Sequence, residues 1–172
     1  IETQGLEGQL FPDSYLFPKL ATQGAILKTI RKNFQKKVVE GLKNELTASG
    51  RSQNFVLTLA SLVEREAKTP KDRALVADIL LKRLEDGWPL QVDATVQYAA
   101  ASRECLTLKS GCNWWPRELT ANDLQIKSPF NTYLNQGLPP GPICNPGLSS
   151  IKAVLNPTES PYWYYLSGKD GV

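Results

Sequence analysis

Apolar residues recur at helical spacing through the stretch that begins at Phe55. At ~100° per residue they share one broad face, made of Phe55, Val56, Leu59, Ala60, Leu62, Val63 and Ala67. Glu66 falls inside this face, flanked by Phe55, Leu59 and Leu62. The pattern therefore predicts an amphipathic helix over residues 54–68 with one carboxyl group on its apolar side.

A carboxyl group on the apolar side of a helix must be paired, protonated or exposed in a cleft. The last two states suit a general acid, so Glu66 is the first candidate for catalysis. The ordinary alternative is an ion pair with a nearby base, for which the sequence offers Arg65, Lys68 and Arg73. Glu64 points well away from the apolar face and is predicted to be a surface acid.

The same period predicts further helices along the chain. They cover residues 22–48, 71–86, 94–101 and 149–155, with a helical turn within 119–126. Residues 88–93 are predicted to be extended, and the aromatic run 162–166 is predicted to be a strand. Pro and Gly dominate residues 129–147, which excludes a helix or a central strand there. We therefore expect a helix-rich α+β fold with a small β element.

Capping and turn residues define the ends of the two central helices. Thr69 suits the N-cap of the second helix, Pro70 suits its first position, and Asp72 completes a near capping box. Gly50 is predicted to end the helix over 22–48, and Gly87 is predicted to end the helix over 71–86.

Composition removes several classes of function from consideration. The 172 residues are 41% hydrophobic and 22% charged, which suffices for one folded domain with a sizeable core. The net charge of +3 is small and the bases alternate with acids, so nucleic acid is not an expected partner. The absence of histidine excludes Ser-His and Cys-His catalysis and most zinc sites. Because the sequence also lacks a Cys-x-x-Cys motif and a nucleotide-binding loop, neither a metal nor a cofactor is expected.

The three cysteines allow two interpretations. Cys105 and Cys112 lie in one loop-like segment and can close a small disulfide loop that leaves Cys144 over. Three reduced thiols are an equally good interpretation. The sequence has no signal peptide and no apolar run of the ~18 residues needed to span a bilayer. Because it begins at Ile1 without a methionine, we expect it to be a piece of a longer protein.

Two polar residues precede the predicted helix over 94–101. Gln91 and Asp93 are two residues apart, so their side chains point to the same side of an extended segment. They are candidates to line a cleft beside Glu66. The ordinary alternative is the polar face of an edge strand.

The triplet Asn131, Thr132 and Tyr133 leads into the Pro- and Gly-rich loop. A stiff loop presents backbone and side-chain groups to a ligand at little entropic cost, and amide and phenol groups suit sugar hydroxyl and acetamido groups. A structural Ω-loop is the equal alternative. Aromatic side chains also suit stacking on sugars, although most serve the core; the candidates are Trp88, Trp114, Trp115, Tyr162, Trp163, Tyr164 and Tyr165.

Five phrases of the sequence together resemble the YceG-like family of endolytic murein transglycosylases. In the family's order they are LEGQLFPDSY, LASLVEREA, DRALVADILLKRLEDGWPLQVDATVQYA, SPFNTYLNQGLPPGPICNPG, and SIKAVLNP with YWYYLSG. Each phrase alone is weak, but together they span almost the whole chain in register. The resemblance implies one catalytic domain over residues 1–172, similar to lysozymes and lytic transglycosylases and truncated at both ends relative to the family.

The resemblance also implies an activity. Family members cleave peptidoglycan glycan strands internally between MurNAc and GlcNAc, leave 1,6-anhydro-MurNAc ends, and terminate nascent strands. It implies a parent protein anchored in the cytoplasmic membrane by one N-terminal helix, with this domain on the extracytoplasmic side. Peptidoglycan synthases are then candidate partners of the parent protein.

The family's catalytic acid is the second glutamate of a Glu-x-Glu phrase, which matches Glu66. Gln91 and Asp93 match further signature positions, as does the triplet over 131–133, which implies that these residues bind substrate. The implied reaction uses Glu66 as acid and then as base, with the MurNAc C6 hydroxyl as nucleophile. A hydrolytic muramidase with Asp93 as second carboxylate is one alternative. A non-catalytic module for peptidoglycan binding or cell-wall assembly is another.

The chain departs from the family's pattern at several places. Ala67 stands where many members have Thr, and Val92 and Ala94 replace Thr and Pro around Asp93. Residues 102–118 are longer than in other members and contain two of the cysteines. A histidine-containing segment that follows in the family, and a LysM-like region near the membrane, are not part of this sequence.

Overall fold

The computed structural model describes residues 5–105, 115 and 118–166. In chain order its α-helices are α1 Gln23–Phe34, α2 Lys43–Ala48, α3 Gln53–Glu66, α4 Pro70–Glu85, α5 Asp93–Cys105 and α6 Leu148–Leu155. A π-helical segment, Gln35–Glu40, follows α1, and a 3₁₀ turn, Asp123–Gln125, follows α5. No strand occurs among the described residues, so the helix-rich fold is confirmed and the small β element is not.

Helix α3 is the centre of the core and is buried continuously from Val56 to Val63. It begins at Gln53 because the Ser52 side chain accepts a hydrogen bond from the backbone N–H of Phe55 at 3.2 Å. Helices α4, α5 and α6 pack against it. Helix α3, which carries the predicted apolar face, is therefore packed against three other helices.

The capping residues predicted for α4 are confirmed. The Thr69 hydroxyl oxygen accepts from the backbone N–H of Asp72 at 3.2 Å and donates to Asp72 Oδ2 at 2.6 Å. Pro70 occupies the first helical position. Gly87 closes the helix with φ of +70°, a conformation that side chains disfavour.

The predicted single helix over 22–48 is wrong. The chain there forms α1, the π-helical segment and α2, with an interruption at Gly41 and Leu42. The apolar residues recur every four positions, which drifts by ~40° per repeat on an α-helix of 3.6 residues per turn. The wider π turn offsets this drift and keeps Phe34, Val38 and Leu42 in the core, at 6%, 0% and 3% exposure.

The predicted strand over 162–166 is also wrong. The backbone of this segment is held by side chains of α4, because Arg83 Nε and Nη2 both donate to the Trp163 carbonyl, at 2.9 and 2.6 Å. Just before it, the Ser160 N–H and hydroxyl both donate to Asp78 Oδ2, at 3.0 and 2.8 Å. These hydrogen bonds to side chains of α4 replace the backbone hydrogen bonds to a neighbouring strand that a β-strand would need.

The described residues also decide the state of two cysteines. Cys105 is disulfide-bonded and Cys144 is a free thiol, so the interpretation of three reduced thiols is wrong. Cys112 and Trp114 lie outside the described residues. Burial raises the pKa of Cys144 to about 12, which makes this thiol unreactive. No helix in the described part of the chain is long and apolar enough to cross a membrane.

Candidate active site

A cleft of about 450 Å³ opens where the end of α3 meets the start of α5. It is lined by Glu66, Arg83, Gln91, Asp93, Tyr133, Tyr164, Tyr165 and Leu166. A larger cavity of about 650 Å³ lies along α1, but none of the described residues that line it carries a carboxyl group. The described residues contain no cluster of three or more His, Cys, Asp or Glu side chains able to hold a metal ion. The smaller cleft is therefore the candidate site for acid–base chemistry.

Glu66 is the last residue of α3, because Ala67 takes an extended conformation and ends the helix. Its Oε2 accepts a hydrogen bond from the Tyr165 hydroxyl at 3.2 Å, and its carboxyl group also accepts from the backbone N–H of Ala94. Burial raises the pKa of Glu66; the Tyr165 hydrogen bond opposes the shift and the charge of Asp93 adds to it. The net direction favours the protonated form that a general acid needs.

The stability of the chain should depend on the protonation of Glu66. A carboxyl pKa raised above 4.5 on folding means that the folded state binds more protons than the unfolded state. This contribution is fully present below that pH and is lost as pH rises through the raised pKa. Glutamine does not titrate, so we expect the melting temperature of Glu66→Gln to exceed the wild type's by an amount that grows as the pH is raised above 4.5. A difference that stays constant across this range would contradict the assignment.

Asp93 lines the same cleft. It is the first residue of α5, which begins one residue before the helix predicted over 94–101. The Tyr133 hydroxyl donates to Asp93 Oδ1 at 2.5 Å. Burial raises the pKa of Tyr133, and the hydrogen bond to Asp93 raises it further, so the phenol keeps its proton. Asp93 is thus bound as a hydrogen-bond acceptor by a dedicated donor.

Gln91 lines the cleft with an unusual backbone. Its φ is +52°, a left-handed conformation uncommon outside glycine, and its N–H donates to the Thr132 carbonyl at 3.2 Å. Backbone strain of this kind concentrates where a side chain has to be aimed at a site. Gln91 and Asp93 both line the cleft, but not as two residues of one extended segment, because Gln91 is left-handed and Asp93 begins α5. Their assignment to substrate binding stays a prediction.

The triplet over 131–133 divides between the cleft and its support. Asn131 is 0% exposed; its amide donates to the carbonyls of Leu124 and Ile126 at 3.0 and 2.9 Å. Its Oδ1 accepts from the backbone N–H of Tyr133 at 2.9 Å. Asn131 therefore holds the turn that presents Tyr133, and its assignment as a substrate-binding residue stays a prediction.

Thr132 is likewise buried, at 1% exposure. Its hydroxyl oxygen accepts from the backbone N–H of Val92 at 3.0 Å and lies 2.9 Å from the hydroxyl of Thr95. These contacts join the triplet to the start of α5. Thr132 does not line the cleft, so direct substrate binding by Thr132 also stays a prediction.

Truncating Asn131 should therefore affect stability. Asn131→Ala leaves two carbonyls and one backbone N–H without their partner, and we expect a loss of about 2 kcal/mol in the free energy of unfolding. Chemical denaturation measures it. Asn122→Ala is the control, because Asn122 is exposed and its side chain makes no capping bond. Equal stability of the two variants would contradict the supporting role.

Arg83 is a cleft residue that sequence reasoning missed. It is only 6% exposed, and its Nη1 donates to the Leu90 carbonyl at 2.9 Å while its other nitrogens hold Trp163. It thereby ties two walls of the cleft to α4. A signal was present in the sequence, since Arg83 lies three and four residues after Leu80 and Ile79, on the apolar face of its helix.

The prediction that Glu64 is a surface acid is wrong. Its Oε1 pairs with Arg73 Nη2 at 2.8 Å, and its Oε2 accepts from the Gly147 N–H at 2.9 Å and the Ser150 hydroxyl at 2.6 Å. Glu64 therefore accepts hydrogen bonds from donors at the N-terminus of α6, where the helix dipole favours a negative charge. The helical angle placed it outside the main face of α3, but α6 covers that side.

The fold and the cleft define a helical domain that presents a desolvated carboxyl group to a polar cleft. The profile of the YceG-like family matches residues 2–172, and the chain belongs to this family. A crystal structure of a YceG-like protein from Listeria monocytogenes is similar, with a TM-score of 0.80 at 36% identity. That match covers 95% of this chain and 50% of the Listeria chain.

Two curated relatives are similar in sequence. The endolytic murein transglycosylase of Bacillus subtilis (strain 168) is 39% identical over 168 residues, which are 96% of this chain and 43% of the relative. The protein of the same name from Streptococcus pneumoniae serotype 2 is 33% identical over 162 residues, 94% of this chain and 28% of the relative. The chain thus spans less than half the length of these relatives.

Proposed function

We propose that this chain is the catalytic domain of an endolytic peptidoglycan lytic transglycosylase. Its substrate is the glycan strand, cut internally between MurNAc and GlcNAc to leave a 1,6-anhydro-MurNAc end. The single observation that carries the proposal is the desolvated carboxyl group of Glu66 in the cleft, with its pKa raised by burial. The relatives named endolytic murein transglycosylase, which match almost the whole chain, support the same conclusion.

The reaction requires one carboxyl group that acts twice. Protonated Glu66 gives its proton to the glycosidic oxygen as the bond from that oxygen to MurNAc C1 breaks. The C6 hydroxyl oxygen of the same MurNAc then forms a bond to C1, and its proton passes to the Glu66 carboxylate. The acid is regenerated and no water is consumed. Burial raises the pKa of Glu66 and so favours the acid form that the first step needs.

Asp93 is the rival second carboxylate, since glycoside hydrolysis by water uses two. Its hydrogen bond from Tyr133 at 2.5 Å gives it another role, as an acceptor that orients the phenol at the cleft wall. An intramolecular nucleophile removes the need for a second reacting carboxylate. We assign Gln91, Asp93 and Tyr133 to substrate binding, with Asn131 and Thr132 acting through the backbone they support.

The parent protein is proposed to be anchored in the cytoplasmic membrane, with this domain on the extracytoplasmic side. The disulfide at Cys105 supports this location, because such bonds persist in oxidising compartments. There the domain would terminate nascent strands beside peptidoglycan synthases. Protease digestion of intact spheroplasts tests the location: cleavage of the domain is expected, and full protection would contradict it.

Digestion of purified peptidoglycan tests the proposed activity. The full-length enzyme is expected to release fragments with 1,6-anhydro-MurNAc ends, detected by mass spectrometry, and Glu66→Gln is expected to release them about 10³-fold more slowly. Reducing MurNAc ends would instead identify a hydrolytic muramidase that uses Asp93. Binding of peptidoglycan without any cleavage by the folded enzyme would identify a non-catalytic wall-binding module.

A further inference from the structure

Tyr165 contacts Glu66 but has no role in the reaction steps described above. Its hydroxyl donates to Oε2 of Glu66 at 3.2 Å, and its half-buried ring packs against the hydrophobic core. The two tyrosines that flank Trp163 are more exposed than Tyr165: Tyr162 is 60% exposed and Tyr164 is 69% exposed. Of these three tyrosines, Tyr165 is the one whose hydroxyl donates to the candidate general acid.

The segment that carries Tyr165 is fixed to α4 at several points. Arg83 donates twice to the Trp163 carbonyl, two residues before Tyr165. Upstream, Ser160 is bound to Asp78, and Lys82 donates to the Ser160 carbonyl at 2.5 Å. These hydrogen bonds fix the backbone on the N-terminal side of Tyr165. The hydroxyl of Tyr165 is therefore held in a fixed direction relative to Glu66.

We propose that Tyr165 is a positioning residue for Glu66, and that its hydroxyl holds Oε2 as an acceptor so that Oε1 carries the proton delivered to the glycosidic oxygen. This inference rests on the proposed function. A carboxyl group has two chemically equivalent oxygens, and only one can face the leaving oxygen of a bound glycan. Holding one oxygen removes the rotations in which the proton points away from the substrate.

The other charged groups around Glu66 do not supply this constraint. Arg65, on the same helix, places its guanidinium over the Trp115 ring at 3.9 Å from the ring centre; Asp93 begins α5, and Arg83 faces the cleft from α4. Asp93 is engaged by Tyr133, and Arg83 is engaged by two backbone carbonyls. Burial raises the pKa of Tyr165 and the charge of Glu66 raises it further, so the phenol stays a donor whichever form Glu66 takes.

The test is Tyr165→Phe in the full-length enzyme, because phenylalanine keeps the ring that packs on the core. We expect kcat to fall about 10-fold to 100-fold, with KM changed less than about 3-fold. Removing a donor to the carboxylate raises the pKa of Glu66, so the basic limb of the kcat–pH profile should move to higher pH. Tyr162→Phe is the matched control in the same segment, and its kcat and pH profile should equal the wild type's.

Two results would overturn the proposal. One is an unchanged kcat and pH profile in Tyr165→Phe. The other is a lower kcat with an unmoved basic limb, which would mean that Tyr165 only stabilises the segment. Titration of Glu66 by carbon-13 NMR in wild type and variant separates this inference from the proposed function. If the wild type proves inactive, a higher Glu66 pKa in Tyr165→Phe still supports the contact, and an equal pKa still refutes it.

Discussion

Glu66→Gln is expected to lower kcat for glycan cleavage by about 10³-fold, because glutamine can neither give the proton to the leaving oxygen nor remove the proton of the attacking hydroxyl. The substitution is nearly isosteric, and the amide oxygen of glutamine can still accept the hydrogen bond from the Tyr165 hydroxyl. The fold should therefore remain intact, as circular dichroism can verify. Release of anhydro-ended fragments measures the rate.

Glu64→Gln is the matched control for this variant, since it changes the other carboxyl group of the same phrase. Glu64 is bound to Arg73 and to the first turn of α6 rather than to the cleft. At a temperature where both variants are folded, we expect its kcat to stay within about 10-fold of the wild type. A larger loss in Glu64→Gln than in Glu66→Gln would exchange the roles assigned to the two glutamates.

Glu64→Ala is expected to lower the free energy of unfolding by about 3 kcal/mol. The truncation leaves the Arg73 guanidinium, the Gly147 N–H and the Ser150 hydroxyl without their shared acceptor. The Glu64 side chain is 26% exposed, so water compensates part of the loss, and the expected value lies at the lower end for a buried pair. Urea denaturation followed by circular dichroism measures it.

Glu85→Ala provides the comparison for a surface ion pair. Glu85 is 65% exposed and lies 3.3 Å from Arg51, a geometry for which we expect less than about 0.5 kcal/mol. If the two variants unfold at the same urea concentration, Glu64 does not join α3 to α6 as described.

Local signals in the sequence predicted the helices that position the site. The two ends of α4 follow from Thr69 and Gly87, whose effects act within one helical turn. The error over 162–166 arose because the deciding contact is distant. The 162–166 segment has the composition of a strand, but Arg83 binds its backbone from 80 residues away.

The site shows the same division between local and distant information. Helical angle alone selected Glu66, and residue spacing paired Gln91 with Asp93. Neither signal reveals Tyr165, which is 99 residues from Glu66 and reaches it only through the fold. The buried environment of Asn131 was equally hidden, because an asparagine in a loop can face either a ligand or the backbone.

The central claim is that Glu66 works with an intramolecular nucleophile and that water takes no part in the cut. Digestion of peptidoglycan in water enriched in oxygen-18 tests this claim most directly, with mass spectrometry of the new glycan ends. The account predicts MurNAc ends that carry no label and are lighter than reducing ends by one water. Label incorporated at each new MurNAc end would contradict it and would assign the second carboxylate, Asp93, to hydrolysis.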